Sequence, residues 1–335
     1  MFSIGALLTT ALAATAAFAK PNPASAPVSP RVLVFTKTEG FRHDSIPTAI
    51  EQLRKYGPDY NILFDFSEDS TTFSDTNMTK YDGVLFVSTS ENILNGDQQG
   101  VFTKWLQSGG VYSGVHLACG TLQNMTAYKA AVGALFDYHP EQQVATFSPL
   151  TKDHPATADM PDQWAYSEEV YFFQSDPREM GATVLVTVDK TKLDNPNENP
   201  DQEPKSGTPH PIAWYIEQPQ YNFTVQGAPK HGRSFYTSLG HTNEVWQTDT
   251  FMYHVFGGLT WALDGASTRA YQVGIIGNDT TPPPPPPPKP ENSSSSSSSS
   301  DGTSKADVSK SSASPSFGSA GILAATFALG AALLL

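Results

Sequence analysis

The sequence predicts an α/β domain built on a mostly parallel sheet flanked by helices. Short β-branched runs alternate with stretches of helical periodicity through the first half of the chain, the order expected of parallel strands joined by crossover helices. Once the apolar ends are set aside, residues 31–264 remain, enough for one large domain with a sizeable core. A single cysteine, Cys119, excludes an intrachain disulfide, so that core must hold the fold unaided.

The elements follow in order. Residues 31–36 (RVLVFT) read as a first buried strand, and residues 45–56 as a helix capped by Asp44 or Ser45, with Pro47 in its first turn. Residues 61–66 and 81–88 (YDGVLFVS) are the second and third strands. A helix over 97–108 is stopped by Gly109 and Gly110, and a fourth strand, 111–116, runs into a turn and helix. Beyond this the pattern loosens. Residues 144–150, 166–173, 183–188, 212–216 and 233–239 read as strands and 251–263 as a closing helix. The polar, Pro/Asn-rich stretch 189–209 reads as a surface loop whose acids face solvent.

Both ends carry processing signals. Residues 1–19 are apolar and uncharged and end Ala17-Phe18-Ala19, the small-x-small pattern of a secretory signal peptide. Residues 313–335 end in an apolar run without a charge, preceded by small residues at Ser311 and Ser312, the pattern of a glycosylphosphatidylinositol attachment signal with the lipid on one of those serines. Residues 278–312 hold polyproline and polyserine runs that have nothing to bury and read as a stalk. Five sequons, at Asn77, Asn124, Asn222, Asn278 and Asn292, suit an extracellular glycoprotein anchored to the cell surface or held in the cell wall. The net charge of −13, with no basic run, argues against nucleic acid or anionic lipid as a binding surface and suits a carbohydrate or a metal ion.

In open parallel α/β sheets, ligands bind outside the carboxyl ends of the strands. Three histidine-bearing segments fall there: Arg42-His43 after the first strand, His116 at the end of the fourth, and Gly240-His241 after a late one. The run Gly114-Val115-His116-Leu117-Ala118 has the small flanking residues of a nucleophile elbow, with an imidazole at the apex. A structural histidine at the sheet edge would show the same spacing.

The segments GFRHDS, GGVYSGVHLACG, FDYHP, DHP, EEVYFF, HPIAW and GRSFYTSLGH, in this order, resemble the ThuA-like (trehalose utilisation) family. The resemblance implies a flavodoxin-like fold of the class I glutamine amidotransferase type. It also implies a cluster of Arg42, His43, His116, Glu169, Tyr171 and His241, with His139 and His154 in the family's His-Pro pairs. Glutamine hydrolysis is not expected, because His116 stands where an amidotransferase carries its cysteine and Cys119 lies three residues later. Glu168 and Glu169 alternate across a strand, so one of them faces the cleft, and the family pattern selects Glu169.

These residues allow general acid/base work by His43, His116, Glu169 and His241, or a divalent metal ion held by the same side chains; the spacing does not choose. Arg42, His139, Tyr171 and Trp214 are expected to contact substrate, and the aromatics Phe41, Tyr138, Tyr236 and Trp246 also suit a sugar cleft. The functional expectation is a carbohydrate-active enzyme that isomerises or cleaves a sugar or glycoside. The alternative is a carbohydrate-binding or cell-wall protein using the same cleft without turnover. Oligomeric state is not legible.

Overall fold

The computed structural model describes residues 28–197 and 205–277. The segments read from the sequence as signal peptide, stalk and anchor signal, with Asn278, Asn292, Ser311 and Ser312, lie outside the described residues.

The first half alternates as expected: β1 (Arg31–Phe35), α1 (Ile46–Tyr56), β2 (Leu63–Ser67), α2 (Asp75–Met78), β3 (Gly83–Val87), α3 (Gly96–Gln107), β4 (Val111–Val115) and α4 (Thr126–Val132). β1, β3 and β4 are buried along their whole length. That is why they are continuous apolar runs: both faces are covered by helices. Val32 and Val34 of β1 pack with Ala49 and Leu53 of α1, whereas Leu33 and Phe35 join Phe102, Trp105 and Leu106 of α3 on the opposite face. Asn95 caps α3 through a reciprocal pair with Gln98, and the chain leaves the helix through Gly109, whose φ of +100° a side chain would resist.

The second half departs from a purely parallel pattern. It contains β5 (Phe136–Tyr138), β6 (Gln143–Pro149), β7 (Trp164–Glu168), β8 (Phe172–Phe173), β9 (Thr183–Val188), β10 (Pro211–Ile216), β11 (Ser234–Thr237), α5 (Asn243–Trp246) and α6 (Asp249–Asp264). The nine-stranded sheet has the order β2-β1-β3-β4-β11-β10-β9-β6-β7, and β5 pairs with β8 separately. β2, β1, β3, β4 and β11 are parallel, while each pairing from β11 through β10, β9 and β6 to β7 is antiparallel. β9 and β7 thus run with the parallel set, and only β6 and β10 oppose it. Residues 166–173, expected as one strand, form two, because the chain breaks at Glu169 and Val170 to turn into the cleft and β8 pairs with β5. α6 packs with β4 and β11, on the same face as α1.

The amino-terminal edge of the sheet is tied across by Asp82, which precedes β3. Its carboxylate accepts from the backbone N–H of Arg31 at 2.9 Å and of Ala270 at 3.3 Å. Ser267 donates to the carbonyl of Gly109, before β4, and the N–H of Gly277 bonds to Thr79. Among the described residues, no helix is long and apolar enough to cross a membrane.

His254 and His154 are among the histidines that sit in the core and that the cleft does not use. His254 on α6 donates from Nδ1 to the Ala156 carbonyl at 2.7 Å and accepts at Nε2 from Thr237 at 3.0 Å. His154 stacks on Tyr215 at 4.9 Å, and its Nδ1 accepts from Ala156 at 3.1 Å. Burial pushes both below the usual imidazole value, His254 to about 4 and His154 to about 3, where the neighbouring His254 and Arg233 charges add to the effect. The folded state therefore prefers both neutral, whereas the unfolded chain protonates them from about pH 6.5 downward. The melting temperature should fall as pH is lowered from 6.5 to 4. His254→Gln, whose amide can make both hydrogen bonds, should make that fall shallower in a thermal-denaturation series.

Candidate active site

Five loops at the carboxyl edge of the sheet supply the site. His43 lies in the loop after β1, Ser90 and Glu91 after β3, His116 at the end of β4, Glu169 after β7 and His241 after β11. On a flat sheet, four strand spacings of about 4.8 Å would hold β7 about 19 Å from β11. The sheet instead curls back. The buried carboxylate of Glu168, at the end of β7, accepts from the backbone N–H of Gly240 at 2.9 Å, of His241 at 3.2 Å and of Glu169 at 3.0 Å. Burial raises its pKa to about 7, against the pull of those backbone donors. Ser45, expected as a helix cap, turns its hydroxyl to the Gly240 carbonyl instead, at 3.3 Å, and Trp246 Nε1 donates to the same oxygen at 2.9 Å.

His116 occupies an elbow. Its φ is +56°, a left-handed conformation that a branched or bulky residue rarely adopts. A Cβ on Gly114 would stand 2.5 Å from the Tyr112 hydroxyl and 3.2 Å from Ala118 Cβ, which explains the small residues on both sides of the apex. Its Nδ1–H donates to the Ser238 carbonyl at 2.7 Å, which fixes the tautomer and leaves Nε2 with a lone pair aimed into the cleft. Burial, helped by the His43 charge and opposed by Glu169, lowers its pKa to about 4.

Around that lone pair the site closes. His43 Nε2 lies 2.9 Å from His116 Nε2, the Tyr171 hydroxyl 2.8 Å, and Glu169 Oε2 3.5 Å. Glu169 Oε2 is also 3.7 Å from His43 Nε2 and 3.1 Å from His241 Nδ1. One donor atom each from His43, His116, Glu169 and His241 falls within 4.8 Å of all the others. Burial works to raise the Glu169 pKa, but the imidazoles of His116, His241 and His43 gathered around it outweigh this and hold the carboxyl far below the usual range. For His241, burial works downward, and the Glu169 carboxylate, with Glu168 and Asp44 behind it, more than reverses this and raises the pKa.

His43 and Glu169 of the cluster line a cleft of about 430 Å³, with Phe41, Glu91, Leu117, Gln123, Phe136, His139 and Tyr171 also on its walls. His139 reaches Glu169 Oε1 at 3.7 Å. Two residues expected to contact substrate are elsewhere. Arg42 turns away from the cleft to pair with Glu68 at 2.7 Å, because the carboxylate beyond β2 offers it a partner. Trp214 is fully buried in β10, its Nε1 donating to Val132, because its position faces the α4 side of the core. Tyr236 and Trp246 are also core, but each binds backbone of the site, Tyr236 through the His116 carbonyl at 2.7 Å. Tyr138 stacks on Phe172 at 4.8 Å. Cys119 is buried, and burial pushes its thiol up to about 12, so no thiolate is available beside the elbow. Sequence reasoning missed Glu168, Glu91 and Gln123; the paired Glu168-Glu169 was the one visible signal for the first.

Comparisons with known proteins bear on the fold and the family. No curated protein matches the chain. The crystal structure of a ThuA-like protein from Bacteroides uniformis is similar, with a TM-score of 0.53 at 17% identity over 74% of this chain and 94% of that one. A ThuA-like protein from Parabacteroides merdae gives a TM-score of 0.48 at 14% identity, over 74% of this chain and 97% of the other. At this identity the likeness concerns the fold: an α/β domain of mostly parallel strands flanked by helices, consistent with the glutamine amidotransferase type. The ThuA family model, described as trehalose utilisation, matches residues 31–262, and the chain belongs to that family.

Proposed function

We propose that this protein is an enzyme acting on a sugar or glycoside, and that His43, His116, Glu169 and His241 hold a divalent cation at its centre. The observation that carries this reading is the convergence of four lone-pair donors within 4.8 Å of one another. A tetrahedral zinc site has ligand atoms about 3.3 Å apart, given metal–ligand bonds near 2.0–2.1 Å. The separations of 2.9, 3.1, 3.5 and 3.7 Å here bracket that value. The hydrogen bond from His116 Nδ1 to Ser238 is the outer support that orients a ligating imidazole. Three nitrogens and one carboxylate suit zinc or a similar ion.

A cation bound there would supply Lewis-acid polarisation of a sugar carbonyl or hydroxyl oxygen. The other groups manage protons and position. Tyr171 is kept protonated by burial and donates to Glu169 Oε2 at 3.5 Å, so it holds the carboxylate in place. His139 hydrogen-bonds the Pro140 carbonyl through Nδ1 at 2.8 Å, leaving Nε2 on the cleft wall to take a proton from a hydroxyl or from the carbon beside a keto group. Isomerisation or cleavage of a keto-glycoside would use these groups. The family's description, trehalose utilisation, supports a sugar as the ligand class.

The same proposal places the protein outside the cell. Residues 1–19 would direct secretion, and Ser311 or Ser312 would carry a lipid anchor. Asn124 and Asn222 are exposed and Asn77 is half-buried, which suits glycosylation. Phosphatidylinositol-specific phospholipase should release the protein from intact cells; retention with the behaviour of an integral helix would rule the anchor out.

The purified protein should contain about one equivalent of a zinc-class cation, measured by elemental analysis, and should turn over at least one member of a panel of glycosides and 3-keto-glycosides. His116→Ala and His241→Ala should lose the cation together with turnover. His139→Ala should keep the cation and lose about 100-fold or more in kcat. Full activity in cation-free protein would return the centre to acid/base chemistry alone.

Because His241 must be neutral to ligate and its pKa lies above the ordinary 6.5, protons should compete with the cation. Cation affinity should weaken as pH falls through neutrality and below. Titration with zinc at several pH values, following proton release, checks the sign.

A further inference from the structure

We infer that Phe41 and Glu91 form a subsite for one uncharged pyranose ring of the substrate, beside the histidine–carboxylate centre. This rests on the sugar reading above and specifies which part of the cleft recognises the sugar and what charge that sugar carries.

Phe41 is 65% exposed, the most exposed large ring of the cleft. An exposed phenylalanine on a loose loop tip would mean little. This one is held. Its carbonyl accepts from Ser90 Oγ at 2.9 Å, the N–H of Gly40 donates to the same Oγ at 3.1 Å, and the N–H of Glu39 bonds to the Ser90 carbonyl at 3.1 Å. The ring stands edge-on to His43, with centroids 4.7 Å apart at 78°. A flat apolar face is therefore presented one ring away from a central histidine, with little further ordering needed on binding. The C–H face of a pyranose is the apolar surface of an otherwise polar ligand, and it packs on such a ring.

Glu91 is the second half. Its φ is +63°, a left-handed conformation that glycine adopts more readily than a residue with a side chain. The conformation is fixed by hydrogen bonds from its N–H to Gly120 at 3.2 Å and from Leu122 N–H to its carbonyl at 3.1 Å. Gly40 leaves room for it: a Cβ at position 40 would lie 2.6 Å from Glu91 Cγ. Among the described residues its carboxylate has no hydrogen bond or ion pair, although it lines the cleft. Strain, a cleared path and an unused carboxylate coincide on one side chain next to Phe41. A carboxylate only accepts, and adjacent sugar hydroxyls donate to both of its oxygens.

The charge of the ligand follows from the wall. Among the described residues no lysine or arginine lines the cleft, and Arg42, the nearest in sequence to the centre, is paired with Glu68. A phosphorylated or acidic sugar would meet the Glu91 carboxylate without a compensating cation at this end. The volume of about 430 Å³ lies in the range of roughly 300–1,000 Å³ that small-ligand sites occupy.

The test uses the secreted protein purified from a eukaryotic host, with trehalose, methyl glucopyranoside and glucose 6-phosphate as probes in calorimetric binding. The wild type should bind a neutral probe more tightly than the phosphate. Phe41→Ala and Glu91→Gln should each weaken the neutral sugar at least tenfold with cation content unchanged, Phe41→Trp should restore binding, and Glu91→Gln should narrow the preference over the phosphate. Glu91→Gly should raise the melting temperature, through relief of the strained φ, while losing sugar affinity. If the wild type binds neutral sugars and the variants bind them equally well, the subsite is wrong and the sugar reading stands. Tighter binding of the phosphate overturns the charge assignment, and no binding of any sugar overturns both.

Discussion

The site depends on one buried carboxylate that does not face it. Glu168 closes the loop after β11 onto the end of β7 by accepting the N–H groups of Gly240, His241 and Glu169. That contact joins the antiparallel edge of the sheet to its parallel centre. Such a charge is costly to bury alone, by several kcal/mol, and it is tolerated because three backbone donors converge on it. Two of those donors belong to Glu169 and His241, whose side chains are proposed to hold the cation. Glu168 thus sets where Glu169 and His241 stand relative to His43 and His116, and an error in its placement would be passed to all four.

Backbone strain gathers at the same edge. Ser88, Glu91, His116 and Leu122 have positive φ, and all lie at the ends of β3 and β4 or just beyond. Two of them carry the side chains argued to bind cation and sugar. The buried parallel strands, with side chains from α1, α3, α4 and α6 packed on both faces, are the rigid frame that can hold four unfavourable conformations close together.

Much of this was legible from residue patterns, and the limits have physical causes. β1, β3 and β4 were readable because burial on both faces makes them continuous apolar runs. The region after β4 blurred because its antiparallel strands alternate burial on mixed faces. β7 and β8 merged into one strand on paper, since a break between two apolar segments leaves no periodic trace. The histidine cluster could be anticipated because each member follows a strand, and strand ends share one edge. Arg42 and Trp214 illustrate the converse. Adjacency to His43 said nothing of the Glu68 carboxylate waiting beyond β2, and an aromatic in a motif does not reveal which face of a strand it occupies. Glu168 was hidden for a deeper reason: its partners are backbone amides of a loop 72 residues away, and backbone amides have no sequence signature.

The tie across the opposite edge has a consequence for access. Asp82 gathers the start of β1 and the segment after α6, and Gly277 ends against Thr79, ahead of β3. Both described termini therefore sit at the amino-terminal edge, while the cleft opens at the carboxyl edge. Whatever tether extends from residue 28 or from Gly277 begins on the far side of the sheet from the mouth. A ligand approaching the mouth therefore meets the loops after β1, β3, β4, β7 and β11 and neither described end of the chain.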